Sequence, residues 1–398
     1  MRVAHICLSS FFIDNRAYQE NELAAAHMEA GHDVLVIAST HVHGSDGRRA
    51  FTEPGDYRTQ EGARVVRLPY HPGIPHALAK SLRIHRGVYR LLETFAPHTI
   101  LFHGMCGWEL LTAARYRRNH PDVPLFVDTH TDFLTSARSV TSKWILHYMY
   151  YRPIVHRALP WIDKILCIST LTEDFARDFY GIPRECLEFY PLGGRPQPDE
   201  ELERRRISKR AELGVGEDEI LLVQTGKQSA KKRLPEALRA LAAVPEARLR
   251  MVIAGLLMDD VRTEVEQLIS NDPRVSFLGW QNPNDIEELL CAADVYLQPG
   301  SQSSTLQTSL CCGCAVILEN LRSHEPYIAG NGWLLGAPSE LTRVFQRIAA
   351  ADLDLDIMRV RSLEIARKCL DYERLAQRVL PEQETRMIRE SERAGRRV

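Results

Sequence analysis

Short apolar runs recur along the chain, and most are separated by stretches with helical spacing. In the first half the runs at Val3 to Leu8, Val34 to Ala38, Arg64 to Leu68, Thr99 to Phe102, Leu125 to Asp128 and Lys164 to Ile168 predict strands. Near Tyr18 to Ala30, Leu23, Ala26 and Ala30 fall on one helical face, and Gly31 stops that helix. Strands alternating with helices predict βαβ units and a parallel sheet. The second half repeats the pattern, with strands expected at Ile220 to Gln224, Arg250 to Ala254, Val275 to Leu278, Val295 to Gln298 and Ala315 to Leu318. Between the halves, Pro191 to Arg206 shifts to Pro, Gly and charge, as a linker does. The expected organisation is therefore a first domain over 1–195, a second over 196–371, and a helical tail over 372–398 kinked at Pro381. The fold class is α/β with two doubly wound units, in which ligands bind beyond the carboxyl ends of the strands.

Composition supports this and narrows the partners. At 398 residues and 44% apolar content the chain can fill two cores. Fifty Lys and Arg against 52 Asp and Glu leave a net charge of -2, so no bulk field draws nucleic acid. Eighteen apolar residues never run together, and the N-terminus reads as a first strand without a cleavage pattern, so a cytoplasmic location is expected. The stretch His76 to Leu92 is basic and amphipathic; it is a candidate for peripheral contact with an anionic membrane, or an ordinary surface helix. Of nine cysteines, Cys7, Cys167 and Cys186 lie in apolar runs, and a disulfide framework is not expected. Cys311, Cys312 and Cys314 crowd one segment without a second ligand pair, which points to small buried residues and not to zinc. Asp352, Asp354 and Asp356 sit near a late helix start, where acids complement the dipole.

Three groups of residues carry candidate chemistry. After ILLVQ comes TGKQSAKKR, where Gly226 permits a tight turn and Lys227 and Lys232 stand across a short loop. Two ammonium groups there suit a diphosphate; the alternative is a solvated basic turn. In DVYLQPGSQSSTLQTSLCCGCAVIL a Pro-Gly turn precedes Ser301, Ser303 and Ser304 and a helix start. Serine caps and free N–H groups at that start form an anion site, or simply a capped helix. Finally, His130 in VDTHTDF and His103 in TILFHG each follow a strand, and His130 lies between Asp128 and Asp132, which tune its charge or tautomer. Either histidine could instead be structural.

Taken together, these segments resemble glycosyltransferase family 4, retaining enzymes of the GT-B fold, in which two Rossmann-like domains face across a cleft and a C-terminal helix crosses back to the first domain. In the second half TGKQSAKKR resembles the family's G-R-x(4)-K-G loop, MVIAG its L-V-I-x-G strand, VSFLGWQNPNDIEELLCAADVYLQP its V-x-F-x-G…L…A-D-V run, and GCAVI its G-x-P-V-I. In the first half Glu22, Leu23, Gly31, His32 and Val34 resemble E-x-x-L…G-H-x-V, PHTILFHG lies near P-D-x-V-H-x-H, and VDTHTDF stands at the active-site histidine. The resemblance implies that Lys227 and Lys232 hold the donor diphosphate, that His130 lies against the donor sugar, and that Gly226, Gln302, Ser303, Ser304, Thr305 and Thr308 line the donor site. It departs from the family at the paired glutamates of E-x(7)-E, whose places fall on Gly300 and Thr308, with Gln302 or Gln307 as neutral substitutes if the loop is gapped. The glycine pair after the first strand is replaced by Ser9 and Ser10.

The implied activity is transfer of a sugar from a nucleoside diphosphate sugar to an acceptor hydroxyl with retention, using no metal and no cofactor beyond that co-substrate. The first domain would bind a carbohydrate, glycolipid or small-molecule acceptor, through Asp14, Asn15, Tyr18, Gln19 and His103. The missing glutamates leave open a catalytically degenerate nucleotide-sugar-binding protein of the same fold. A sugar-nucleotide epimerase is a third reading.

Overall fold

The computed structural model describes residues 1–43, 49–133, 136, 139, 140, 142–245, 248–350, 352 and 354–381. The chain divides into two compact units, Met1–Pro191 with the segment from Tyr372 onward, and Leu192–Asp371.

In the first unit the strands are β1 (Arg2–Cys7), β2 (Asp33–Ser39), β3 (His41–His43), β4 (Arg49–Phe51), β5 (Gly55–Arg58), β6 (Arg64–Leu68), β7 (Thr99–Phe102), β8 (Leu125–Thr129), β9 (Lys164–Cys167) and β10 (Leu187–Phe189). Eight of them form one sheet in the order β10-β9-β8-β7-β1-β2-β6-β5, while β3 and β4 pair separately. Every pairing in the large sheet is parallel except β5 with β6. The central strands are apolar on both faces because helices cover both. Ile6, Phe102 and Val127 pack with Leu110, Tyr151 and Phe175 on one side, and Leu101 and Leu166 pack with Leu23, Tyr190 and Leu375 on the other. Strand order reverses between β1 and β7, which opens a crevice at their carboxyl ends.

The helix Tyr372–Gln377 packs in this unit against the helix Gln19–Glu29. The Tyr190 hydroxyl donates to the Leu375 carbonyl at 2.7 Å and the Thr99 hydroxyl to that of Val379 at 2.6 Å. The helix ends before Pro381, so this proline follows it and does not kink it; the remainder of the expected helical tail, 382–398, lies outside the described residues. The expected amphipathic stretch 76–92 is also corrected. It forms two short helices, His76–Leu82 and Val88–Phe95, because Arg83 turns left-handed at φ 54° and His85 is drawn into the interior, bridging Tyr70.

The second unit holds β11 (Ile220–Gln228), β12 (Leu249–Leu257), β13 (Val275–Phe277), β14 (Val295–Gln298), β15 (Ala315–Glu319) and β16 (Gly332–Leu335). All pair in parallel, in the order β13-β12-β11-β14-β15-β16, so the order reverses between β11 and β14. Leu222, Ile253, Leu297 and Ile317 form its core with Leu238, Leu341 and Phe345 from covering helices.

Two sequence expectations change here. The charged half of the expected linker is a helix, Asp199–Leu213. It is anchored by Asp294, whose carboxylate pairs with Arg206 and with Arg210 at 3.0 Å and accepts from the Leu221 amide at 2.7 Å. Strand β11 also runs past Gln224 to Gln228, because β12 continues beside it to Leu257. Gly226 and Gly255 are partners in that extension, with φ of 103° and 145°. A Cβ on Gly255 would overlap the Gly226 carbonyl oxygen, so glycine is required for the two backbones to lie this close.

Candidate active site

The loops after β11 and β14 meet at the strand-order reversal of the second unit. Lys227 is exposed on the extension of β11 and not in the loop, a consequence of the longer strand. Ala230–Lys232 form a 3₁₀ turn that brings the Lys232 ammonium to the Gln302 carbonyl, to which it donates at 3.3 Å. The lysine loop and the serine loop, read separately in the sequence, therefore share one site. Burial lowers the Lys232 pKa from its ordinary value, since an ammonium loses water there. A bound anion would reverse that penalty.

The serine turn is built differently from a serine-capped helix. Ser304 already has helical angles at the start of the helix Thr305–Cys311, and its side chain caps nothing. Ser303 Oγ accepts instead from the Thr305 amide at 3.4 Å and lies 3.1 Å from Thr305 Oγ1. Ser301 is left-handed at φ 39°, and Arg233 at φ 55° is left-handed too. Glu319, at the end of β15, ties both: it accepts from Arg233 Nη2 at 2.8 Å and from the Ser301 amide at 3.2 Å. Gln302 is exposed and its amide nitrogen contacts Ser323 Oγ; Thr308 is half-buried on the following helix. His324 donates from Nδ1 to the Glu319 carbonyl at 2.8 Å and so accepts at Nε2 from Gln298 at 3.1 Å. Burial lowers its pKa, consistent with that neutral tautomer. Glu319, Arg233 and His324 were absent from the sequence reading, although an acid closing the apolar run AVILE at a strand's carboxyl end is a usable signal.

In the first unit an acid lies between two histidines at the carboxyl ends of β7 and β8. Asp128 is fully buried at the end of β8. Its Oδ2 lies 2.6 Å from His103 Nδ1, and its Oδ1 accepts from the Gly104 amide at 2.7 Å. His130 Nε2 stands 3.5 Å from Oδ1, an ion-pair contact longer than a hydrogen bond, with 29% of the side chain exposed. Burial opposes charge on both partners. Even so, the Asp128 carboxylate raises the His130 pKa to about 9, and the two histidines hold Asp128 well below the carboxylate range. Glu20, buried on the helix Gln19–Glu29 and touching Ser10, adds to the field on His130.

The remaining first-unit candidates separate. His103, expected to touch the acceptor, is fully enclosed with both ring nitrogens engaged, so it acts here through Asp128 and not by contact. Asp14 is bound by Arg67 at 2.7 Å and by the Tyr57 hydroxyl at 2.8 Å. Asp14 and Asn15, the latter left-handed at φ 57°, line a cavity of about 390 Å³ with Arg16, Asn21, Glu22 and Arg58. Tyr18 is exposed before the helix start, whereas Gln19 is enclosed with both amide atoms unpartnered among the described residues. Neither lines that cavity.

Comparison with known proteins places the chain in a family. Residues 18–193 match the model of the glycosyl transferase 4-like domain, and residues 205–348 match that of glycosyl transferases group 1. The chain belongs to the family 4-like glycosyltransferases. Lipopolysaccharide glucosyltransferase WaaG of Escherichia coli K12 is 25% identical over 307 residues, covering 75% of this chain and 78% of WaaG. Among solved structures, Anabaena HepE in complex with UDP superposes with a TM-score of 0.64 at 15% identity, over 95% of this chain and 98% of HepE. Sucrose-phosphate synthase from Thermosynechococcus elongatus gives 0.60 at 16% identity, over 99% of this chain and 100% of the synthase. The crystal structure of WaaG gives 0.59 at 16%, over 95% and 99%. This glycosyltransferase thus has the two-unit α/β architecture of the GT-B fold. In it, a Cβ at Gly300, one place where the family resemblance puts a glutamate, would overlap the Lys231 carbonyl and lie 3.0 Å from Arg233 Cγ. No side chain enters there unless the lysine loop moves.

Proposed function

We propose that this glycosyltransferase moves a sugar from a nucleoside diphosphate sugar to an acceptor hydroxyl with retention, with no metal and no further cofactor. The observation that carries the donor half is the hydrogen bond from Lys232 to Gln302, which joins a desolvated ammonium to the Ser303–Thr305 turn at the strand-order reversal, with Lys227 exposed at the end of β11. In the transfer, the bond between the anomeric carbon and the diphosphate oxygen breaks, and the acceptor oxygen bonds to that carbon. The acceptor proton passes to the departing diphosphate, whose growing charge the lysines stabilise. His130, held cationic by Asp128, stands for the sugar side in the first unit, and the cavity beside Asp14 and Asn15 for the acceptor, a carbohydrate, a glycolipid or a small molecule. HepE was crystallised with UDP and with UDP-glucose, which makes uridine nucleotides the first to try. Peripheral membrane contact through 76–92 would rest on exposed Lys80, Arg86 and Arg90, and flotation with anionic against neutral vesicles tests it; equal flotation removes that contact.

The test of the donor site is thermal unfolding with a panel of nucleoside diphosphates, with and without Lys227→Ala combined with Lys232→Ala. A ligand at a hundredfold its Kd adds about 2.7 kcal/mol, a shift of several degrees. A shift abolished by the double change supports the assignment; no shift with any nucleotide removes it. Gly300 favours a second reading, a nucleotide-sugar-binding protein without turnover, because the carboxylate position is closed to side chains. Release of free nucleoside diphosphate from a nucleotide sugar in the presence of acceptor separates the two.

A further inference from the structure

Three buried imidazoles lie in line behind the Asp128 carboxylate. His27 on the helix Gln19–Glu29, His5 on β1 and His103 after β7 are each fully buried. His27 Nε2 is 3.0 Å from the Ala376 carbonyl, His27 Nδ1 is 3.0 Å from His5 Nε2, His5 Nδ1 is 3.0 Å from His103 Nε2, and His103 Nδ1 is 2.6 Å from Asp128 Oδ2. The chain crosses the first unit from the helix Tyr372–Gln377 to the acid beside His130.

Counting protons fixes the tautomers. A carbonyl only accepts, so His27 donates from Nε2 and is an acceptor at Nδ1. His5 must then donate from Nε2 and accept at Nδ1, and His103 must donate from Nε2. At the other end an ionised carboxylate also only accepts, so His103 must donate from Nδ1 as well. Four hydrogen bonds join the Ala376 carbonyl to Asp128, and three neutral imidazoles supply three protons, so the chain holds one proton in excess. Of the three rings His103 is the one that touches the carboxylate, at 2.6 Å, while His27 and His5 meet a carbonyl and other imidazoles. The extra proton therefore belongs to the His103–Asp128 end, and burial disfavours charge on His27 and His5. Glu20, Cys7, His32 and Tyr190 are the other titratable groups facing this array from neighbouring elements, with Arg67 acting on Cys7.

We propose that His27, His5 and His103 are positioning residues: a proton-holding relay that shares the Asp128 carboxylate with His130 and thereby sets the charge of His130. The relay rests on the proposed function only in the use made of His130. A cation at His103 competes with His130 for one carboxylate. If the relay is cut at His5, His103 loses its second acceptor, reverts to a neutral Nδ1 donor, and leaves the whole Asp128 charge to His130.

The test uses the full chain with ¹⁵N-labelled histidine, read by NMR across pH. In the unaltered protein His5 and His27 should be neutral Nε2–H tautomers and His103 protonated on both nitrogens at neutral pH. Three neutral rings, or an Nδ1–H tautomer at His5 or His27, overturn the relay, and this readout needs neither activity nor a variant. His5→Phe should then raise the His130 midpoint by about one pH unit, the scale expected when one carboxylate ceases to be shared. His5→Gln, which can donate to His27 and accept from His103, should restore the original midpoint. A midpoint unmoved by His5→Phe, or moved equally by His5→Gln, also overturns it. Relay tautomers seen in a protein without transferase turnover would sink the functional reading alone; turnover with the wrong tautomers would sink the relay alone.

Discussion

Replacing Gly255 by alanine probes the floor of the proposed donor site. Gly255 sits at φ 145°, where L residues are strained by about 1–3 kcal/mol, and its Cβ would overlap the Gly226 carbonyl oxygen while lying 2.7 Å from Gly226 C and 3.0 Å from Gly226 N. Relief requires β11 and β12 to part at the residue before Lys227, a rearrangement of the overpacking kind that costs roughly 1–3 kcal/mol more. The summed loss is about 2–6 kcal/mol, centred near about 4. Gly226→Ala is the internal control. It also has positive φ, at 103°, but open space around its Cβ, so only conformational strain of about 1–2 kcal/mol applies. In a unit of this size each kcal/mol moves the midpoint by roughly 2–4 °C. At the central difference of about 2.5 kcal/mol, calorimetry should place Gly255→Ala about 5–10 °C below Gly226→Ala, with weakened nucleoside diphosphate binding because Lys227 is displaced. If the two variants melt together within about 2 °C, the close approach of the strands is not what demands glycine, and the reasoning fails.

Two further outcomes are expected. Arg67→Lys should lower the denaturation midpoint by the equivalent of about 2–3 kcal/mol, because the buried guanidinium donates to the Ser39 carbonyl, Asp14 and the Tyr57 hydroxyl at once and an ammonium cannot reproduce that fork; an unchanged midpoint would show the network contributes nothing. Burial lowers the pKa of His27, His85 and His147 to about 4, so the unfolded chain takes up protons near pH 6.5 that the folded chain refuses until about pH 4. Their stability is present above pH 6.5 and lost as pH falls, at roughly 2 kcal/mol each by pH 5. His130, raised to about 9, has the opposite sign, stabilising below pH 6.5 and fading as pH rises through 9, and it offsets part of the acid loss. Thermal midpoints at pH 7 and 5 should fall with acid, and His85→Phe should flatten the fall.

The alternation of apolar runs with helical spacing was enough to locate most strands of both sheets, because a parallel strand covered on both faces is a continuous apolar run. The short strands β3, β4, β5 and β10 carry no such run and were not legible, and the four-residue edge strand β16 was missed as well. Gly226, Lys232 and the serine turn were visible as residues suited to an anion, and His130 as a histidine past a strand end. What the sequence left open was their company. Lys232 meets Gln302 only because β11 and β14 are neighbours in the sheet, and Glu319 bridges Arg233 and Ser301 only because β15 lies next to β14.

Local pattern thus determined the elements and the family, since burial periodicity and loop chemistry are written in consecutive residues. Tertiary structure alone decided the electrostatics. His5, His27, His103 and Asp128 are far apart in sequence, and each by itself is an unremarkable polar residue in an apolar setting. Packing removes water from all of them at once, and their hydrogen bonds then go to one another and, at the two ends, to the Ala376 carbonyl and the Gly104 amide.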